Sequence, residues 1–241
     1  MNGPPKPERI DKILSNAGYG SRSDVKELIR SGAVSCDGKR VEDPGEKRVA
    51  ETSRIEISGV SISFSKYIYL MMQKPEGVIS ATYDPRHTTV VDLLPDNLRR
   101  RGLFPVGRLD IDTTGLTILT DDGGFAHRLL SPKRHVEKEY EAVLDKAPDG
   151  AVLDDFERGM AIGGNVKLQP ARLTQTSDSP TRVRVILTEG KFHQIKRMFA
   201  KHGIHVLELR RLRIGTLSLD PTLAPGEFRE LTPAELALFD S

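Results

Sequence analysis

From position 67 to the C-terminus, short β-type runs outnumber helical ones and follow one another mostly through hairpin-like links. That texture restricts this stretch to an α+β domain on a mainly antiparallel sheet. Tyr67-Ile68-Tyr69-Leu70-Met71-Met72 reads as a buried strand, Lys74-Pro75-Glu76-Gly77 as a turn with proline at its second position, and Val78-Ile79-Ser80 as the start of the return strand. Residues 81–105 read as loop and a short helix punctuated by Pro85, Pro95 and Pro105. An apolar run follows at 116–120, closed by the turn Asp121-Asp122-Gly123-Gly124, and a short helix is expected over 125–130. Residues 136–144 alternate, with Val136, Lys138, Tyr140, Ala142 and Leu144 on one face and Glu137, Glu139 and Glu141 on a wet, acidic one. Beyond them come a helix at 149–160, strands at 166–174 and 181–187 joined by a polar loop at 175–180, and a helix with the stripe Ile195, Met198, Phe199 ended by Gly203. A strand at 204–209, Leu217-Ser218-Leu219 and a short helix from Thr232 complete this part.

The front of the chain has a different pattern. Ile10, Ile13, Leu14 and Ala17 form one helical stripe, and Gly18 stops it. Ser21 is placed as an N-cap with Asp24 three residues on, close to a capping box, and the second helix is expected to run to Ser31 before Gly32. Val25, Leu28 and Ile29 point inward, while Arg22, Lys26 and Arg30 recur every four residues as a basic ridge. Asp37-Gly38 between two short β-type runs predicts a hairpin. Such a unit can grip a nucleic-acid backbone by shape and charge without reading bases, although a solvated helix face has the same pattern.

Charge and cysteine content narrow the partners. Net charge is only +2, but residues 191–213 hold Lys191, Lys196, Arg197, Lys201, Arg210, Arg211 and Arg213 against Glu208 alone. That local excess is read as a phosphate-facing patch, the alternative being a face balanced by acids packed nearby. The single Cys36 allows neither an internal disulfide nor a cysteine metal cluster and fits a reducing cytoplasm. No apolar run is long enough for a membrane span, and Met1-Asn2-Gly3-Pro4-Pro5-Lys6-Pro7 reads as a loose tail rather than a signal segment.

The stretch Gly107-Arg108-Leu109-Asp110-Ile111-Asp112-Thr113-Thr114-Gly115-Leu116 fits no helical period and leads into the apolar run, so Asp110 is expected on an irregular segment entering a buried strand. A carboxylate beside an arginine can serve as nucleophile, base, metal ligand or loop brace. A metal reading lacks a histidine or third carboxylate at a usual spacing. A two-carboxylate glycosidase is conceivable, but the basic patch suits RNA better than a neutral glycan. His193 has the chemistry of a base, yet no serine or cysteine nucleophile motif accompanies it.

Two resemblances bear on these alternatives. The wording Arg9-Ile10-Asp11-Lys12-Ile13-Leu14, Gly18-Tyr19-Gly20-Ser21-Arg22 and Leu28-Ile29-Arg30-Ser31-Gly32-Ala33-Val34-Ser35-Cys36-Asp37-Gly38 resembles the S4 RNA-binding domain over residues 8–66. It implies RNA contacts at Arg9, Arg22, Lys26 and Arg30. Lys74-Pro75-Glu76-Gly77, Gly107-Arg108-Leu109-Asp110 and Glu189-Gly190-Lys191-Phe192-His193-Gln194-Ile195-Lys196-Arg197-Met198 resemble, in order, the three signature blocks of the RsuA-like pseudouridine synthases. That second resemblance implies a catalytic domain over 67–241, joined to the first by a linker near 59–66. It makes Asp110 the catalytic aspartate acting on the ribose of a target uridine, and Arg108 the arginine that holds the target out of the stack. Tyr140 becomes the active-site tyrosine that packs on the uracil, and Lys196 the basic residue expected to pair with Asp110 and keep it ionised and oriented. Lys74, Lys191 and Arg197 are expected to touch RNA, Asp112 to brace the loop, and the glycines to let it approach the RNA. The resemblance implies no cofactor and no metal, a monomer, and ribosomal RNA or a ribosomal subunit precursor as partner. The His193-Gln194 wording points to small-subunit 16S rRNA rather than the large-subunit 23S branch. A non-catalytic S4-type assembly factor is the rival expectation.

Overall fold

The computed structural model describes residues 6–50, 52–62, 67–162 and 166–239. Positions 1–5 of the tail expected over 1–7 and positions 63–66 of the linker expected near 59–66 lie outside the described residues. The chain forms two compact units, one of residues 1–68 with 94–103 and the other of residues 69–93 with 104–241.

In the first unit the apolar stripe of Ile10, Ile13 and Leu14 drives the helix Ile10–Asn16 onto Val25 and Ile29 of the helix Arg22–Arg30. The second helix starts where expected. Ser21 Oγ accepts the Asp24 amide at 3.3 Å, and the Asp24 carboxylate accepts the Ser21 amide at 2.8 Å, a reciprocal capping box. Asp37 and Gly38, at φ +52° and +77°, turn the hairpin of Val34–Cys36 and Lys39–Arg40. Ile55–Ile57 and Val60–Ile62 extend its sheet, which covers the helices with Val34, Cys36, Ile55 and Ile62. Residues 94–103 join this unit through close packing: a Cβ on Gly18 would lie 2.2 Å from the Asn97 carbonyl oxygen, and Arg101 Nη1 donates to the Asn16 carbonyl at 2.6 Å.

The second unit is the expected α+β domain. Its sheet runs Arg172–Thr176, Ser179–Leu187, Lys138–Leu144, Val206–Ile214, Thr113–Thr120, Tyr69–Lys74 and Phe228–Glu230 in order. Neighbours are antiparallel except at the centre, where Val206–Ile214 runs parallel to Thr113–Thr120. A parallel pair starts both strands at the same end of the sheet. The segment before Thr113 and the helix Gln194–Lys201 before Val206 are therefore brought to one place, and the site is built there. Phe156, Met198 and Phe199 fill one core, and Met71, Ile118 and Phe125 another.

Three expectations are corrected. Residues 78–80 are not a return strand. Tyr69–Lys74 pairs instead with Thr113–Thr120 and Phe228–Glu230, and Ile79 makes only an isolated bridge to Thr89. The face expected to be wet and acidic is an ion-pair ladder, in which Glu139 accepts Arg184 at 3.2 Å and Arg213 at 2.9 Å while Glu141 accepts Arg182 at 3.0 Å. The strand read as 204–209 extends to Ile214, because its arginines are buried or paired rather than solvated.

Candidate active site

The loop holding Asp110 is organised by a lysine. Lys74 is fully buried, and its Nζ donates to the carbonyls of Pro75 at 3.0 Å, Ile111 at 3.2 Å and Thr113 at 2.8 Å. All three ammonium protons are thus spent on backbone. The Gly77 amide donates to the Ile111 carbonyl at 2.9 Å, and the Leu109 amide to Ser80 Oγ at 3.1 Å. Burial pushes the Lys74 ammonium down to about 8, against the pull of Asp112, Asp110 and Glu76. Lys74 is therefore a brace for residues 109–113 and not a contact for RNA, because no part of it reaches the surface.

Cross-strand register lays out a row beneath the loop. Lys74 pairs with Gly115, Gly115 with Arg211, and Arg211 with Tyr140. Gly115, at φ +100°, lies so close to the next strand that a Cβ would come within 2.2 Å of the Arg211 carbonyl oxygen. The glycine expected to admit RNA is in fact required by the sheet. Arg211 is itself buried, with Nε donating to the Leu116 carbonyl at 2.8 Å.

Above the row lies a cavity of about 500 Å³ lined by Arg108, Asp110, Asp112, Tyr140, His193 and Lys196 among others. Its volume lies within the range of small-ligand sites. Tyr140 is buried at 8 % exposure, whereas Arg108 is exposed. Lys196 Nζ approaches Asp112 Oδ1 to 2.5 Å and Asp110 Oδ2 to 3.9 Å, and His193 Nε2 lies 3.5 Å from Asp110 Oδ1. The hydrogen bond from Lys196 holds the Asp112 carboxyl below its ordinary range. Asp112, expected to brace the loop, is the closer partner of Lys196. Among the described residues no group of three histidine, cysteine or acidic side chains could hold a metal ion.

The cationic patch read over 191–213 is mostly occupied. Arg213 is tied to Glu137 and Glu139, Lys201 to Asp155, and Lys196 to the two aspartates. Arg210 donates to Gln73, and Arg211 is buried. Acids packed nearby balance three of its seven cations, and Gln73 and the Leu116 carbonyl engage two more. Lys191 stays exposed in the loop before the helix Gln194–Lys201, and Arg197 is half-buried on that helix. In the first unit Arg22 and Arg30 are exposed and Lys26 is half-buried. Arg9 forms a paired contact to the buried Asp11 at 2.8 and 3.1 Å, with about half of its side chain accessible.

Sequence reasoning undervalued His193 and passed over Ser80 and Phe192. The sequence offers His193 as a base with no nucleophile motif beside it, and nothing local marks Ser80 as the acceptor that fixes Leu109.

A family model for RNA pseudouridylate synthases matches residues 68–201, and an S4 domain model matches residues 8–47. An uncharacterised RNA pseudouridine synthase of Bacillus subtilis, YtzG, is 48 % identical over 234 residues, covering 96 % of this chain and 98 % of that protein. The ribosomal small subunit pseudouridine synthase A of Vibrio cholerae is 41 % identical over 230 residues, covering 95 % and 98 %. A crystal structure of a pseudouridylate synthase matches with a TM-score of 0.68 at 32 % identity, covering 96 % of this chain and 99 % of that one. Similarity of this extent, running through the S4 segment and the synthase segment alike, makes the chain a member of the RNA pseudouridine synthase family, of its RsuA type.

Proposed function

We propose that this synthase converts one uridine of small-subunit 16S ribosomal RNA, naked or in a subunit precursor, with Asp110 as its catalytic carboxylate. The S4-like segment 8–66 holds the RNA backbone, and residues 67–241 carry the chemistry. A uridine in structured RNA is unreachable until it is turned out of its stack, at a cost of a few kcal/mol. Arg108, exposed at the cavity edge, occupies the gap left behind, and Tyr140 packs on the uracil. Asp110 presents its carboxylate to the ribose. The N1–C1′ bond breaks, the uracil turns, and C5 bonds to C1′. The proton that leaves C5 is matched by one gained at N1, so the reaction is balanced within the nucleotide and needs no redox partner. Lys196 supplies positive charge beside the carboxylate throughout.

What supports this reading is the convergence of Arg108, Asp110, Tyr140 and Lys196 on one cavity, although they are spread over nearly ninety positions of the sequence. The choice of 16S rRNA rests on the His193-Gln194 wording and on relatives named as small-subunit enzymes. The test is to incubate the full chain with transcribed 16S and 23S rRNA and map pseudouridine by sequencing. Conversion of a single 16S uridine by the wild type, lost in Asp110→Asn, is the expected result. Conversion only in 23S rRNA overturns the substrate, and an active Asp110→Asn overturns the catalyst.

A further inference from the structure

At the rim of the cavity Phe192 is 74 % exposed, and its ring stacks on that of His193 with centroids 3.7 Å apart and planes 20° from parallel. One face of Phe192 is thus covered and the other is open to solvent. A single exposed aromatic side chain is ordinary. This one is set in a built loop. His193 adopts a left-handed backbone, φ +49° and ψ +35°, which a residue with a side chain takes only where its surroundings impose it. The surroundings here are the buried Gln194, which accepts the Lys191 amide at 2.9 Å and donates to Glu189 at 2.8 Å. Gln194 therefore clamps residues 189–194 and holds the two rings at the cavity mouth. His193 Nε2 lies in turn 3.5 Å from Asp110 Oδ1.

We propose that the open face of Phe192, backed by the His193 ring, is a seat for the nucleobase adjoining the turned-out uridine. A flipped nucleotide leaves its neighbour with one unstacked face, and an aromatic ring accepts any base there without reading its identity. A base on Phe192 would complete a stack of three rings ending at the carboxylate. The inference rests on the uridine-flipping reading above and adds a place for the flanking nucleotide.

The probe is an RNA nonamer with a central uridine and 2-aminopurine on its 5′ or 3′ side, titrated into the full chain carrying Asp110→Asn. Binding is expected to quench one of the two labels. Adding Phe192→Ala should abolish that quenching and weaken binding about tenfold, the worth of one base stacked on an aromatic ring. Phe192→Tyr should restore both, with the melting temperature of all forms unchanged. Quenching that persists in Phe192→Ala, or a nonamer that is bound with neither label quenched or is not bound at all, overturns the proposal. Quenching in the Asp110→Asn chain, together with no pseudouridine formed in ribosomal RNA by the wild type, would support the seat and sink the catalytic reading instead.

Discussion

Lys196 Nζ stands 2.5 Å from Asp112 Oδ1 and 3.9 Å from Asp110 Oδ2. One cation therefore serves two carboxylates unequally, and the nearer one is not the proposed catalyst. The Asp112 side chain is 55 % exposed, so its ion pair contributes little to stability, about 1 kcal/mol at most. Its effect is instead to set where the ammonium rests. Asp112→Asn is expected to cost less than about tenfold in kcat/KM, since Lys196 can then turn fully toward Asp110. Lys196→Met should cost about a hundredfold or more, the usual loss when a charge aimed at a reacting centre is removed. Steady-state assays of both variants check the order, and equal losses would refute the unequal sharing.

Lys74 gives a prediction in stability. Its ammonium is pushed down to about 8 in the folded chain from an ordinary 10.5. Below pH 8 the lysine is charged in both states, and its burial penalty is fully present. Between about 8 and 10.5 the unfolded chain binds more protons than the folded one, so this group's contribution to stability rises with pH and levels off above 10.5. Lys74→Met removes that pH dependence but strands the carbonyls of Pro75, Ile111 and Thr113. The expected net loss is about 3 kcal/mol at neutral pH, read by urea unfolding. A variant as stable as the wild type would show that these carbonyls find other donors.

Gly115→Ala tests the row beneath the site. The new Cβ would meet the Arg211 carbonyl oxygen at 2.2 Å, and φ at this position is +100°. Neither backbone can move without disturbing the pairing of Thr113–Thr120 with Val206–Ile214. The two effects together should cost at least about 3 kcal/mol. Circular dichroism melts measure it, and a shift of under a degree would refute the requirement. By contrast, Gly77→Ala has open space around its Cβ position and meets only its own φ of +78°, so its cost should be the smaller.

What could be read in advance separates by range along the chain. The Ser21–Asp24 box and the Asp37-Gly38 turn are local, and the structure places both as read. The burial of Lys74 depends on carbonyls more than thirty residues away, which no local pattern contains. The full extent of Val206–Ile214 was hidden because Arg210, Arg211 and Arg213 resemble a solvated run. Their partners, Gln73, Leu116 and Glu139 on other strands and Glu137 just before one, are brought to them only by the sheet order. The site behaves in the same way. Spelling of the three motifs points to Asp110 and Lys196, but the unequal sharing between two aspartates depends on where the loop before Thr113 meets the helix Gln194–Lys201.

The basic ridge of the first unit carries the last prediction. Arg22 and Arg30 are exposed, Lys26 is half-buried beside them, and all three ride on a helix whose opposite face is fixed in the core by Val25 and Ile29. Removing their charges should therefore leave the fold intact. If each contacts one phosphate of a single-stranded segment, the triple variant Arg22→Ala, Lys26→Ala, Arg30→Ala should flatten the slope of log affinity against log salt by about 2. Affinity at low salt should fall at least about tenfold, while the wild-type and variant curves converge as salt rises and screens the contacts. Filter binding across a salt series measures both quantities. A parallel loss of affinity at every salt concentration would mean that the ridge acts through shape or folding and not through phosphate charge.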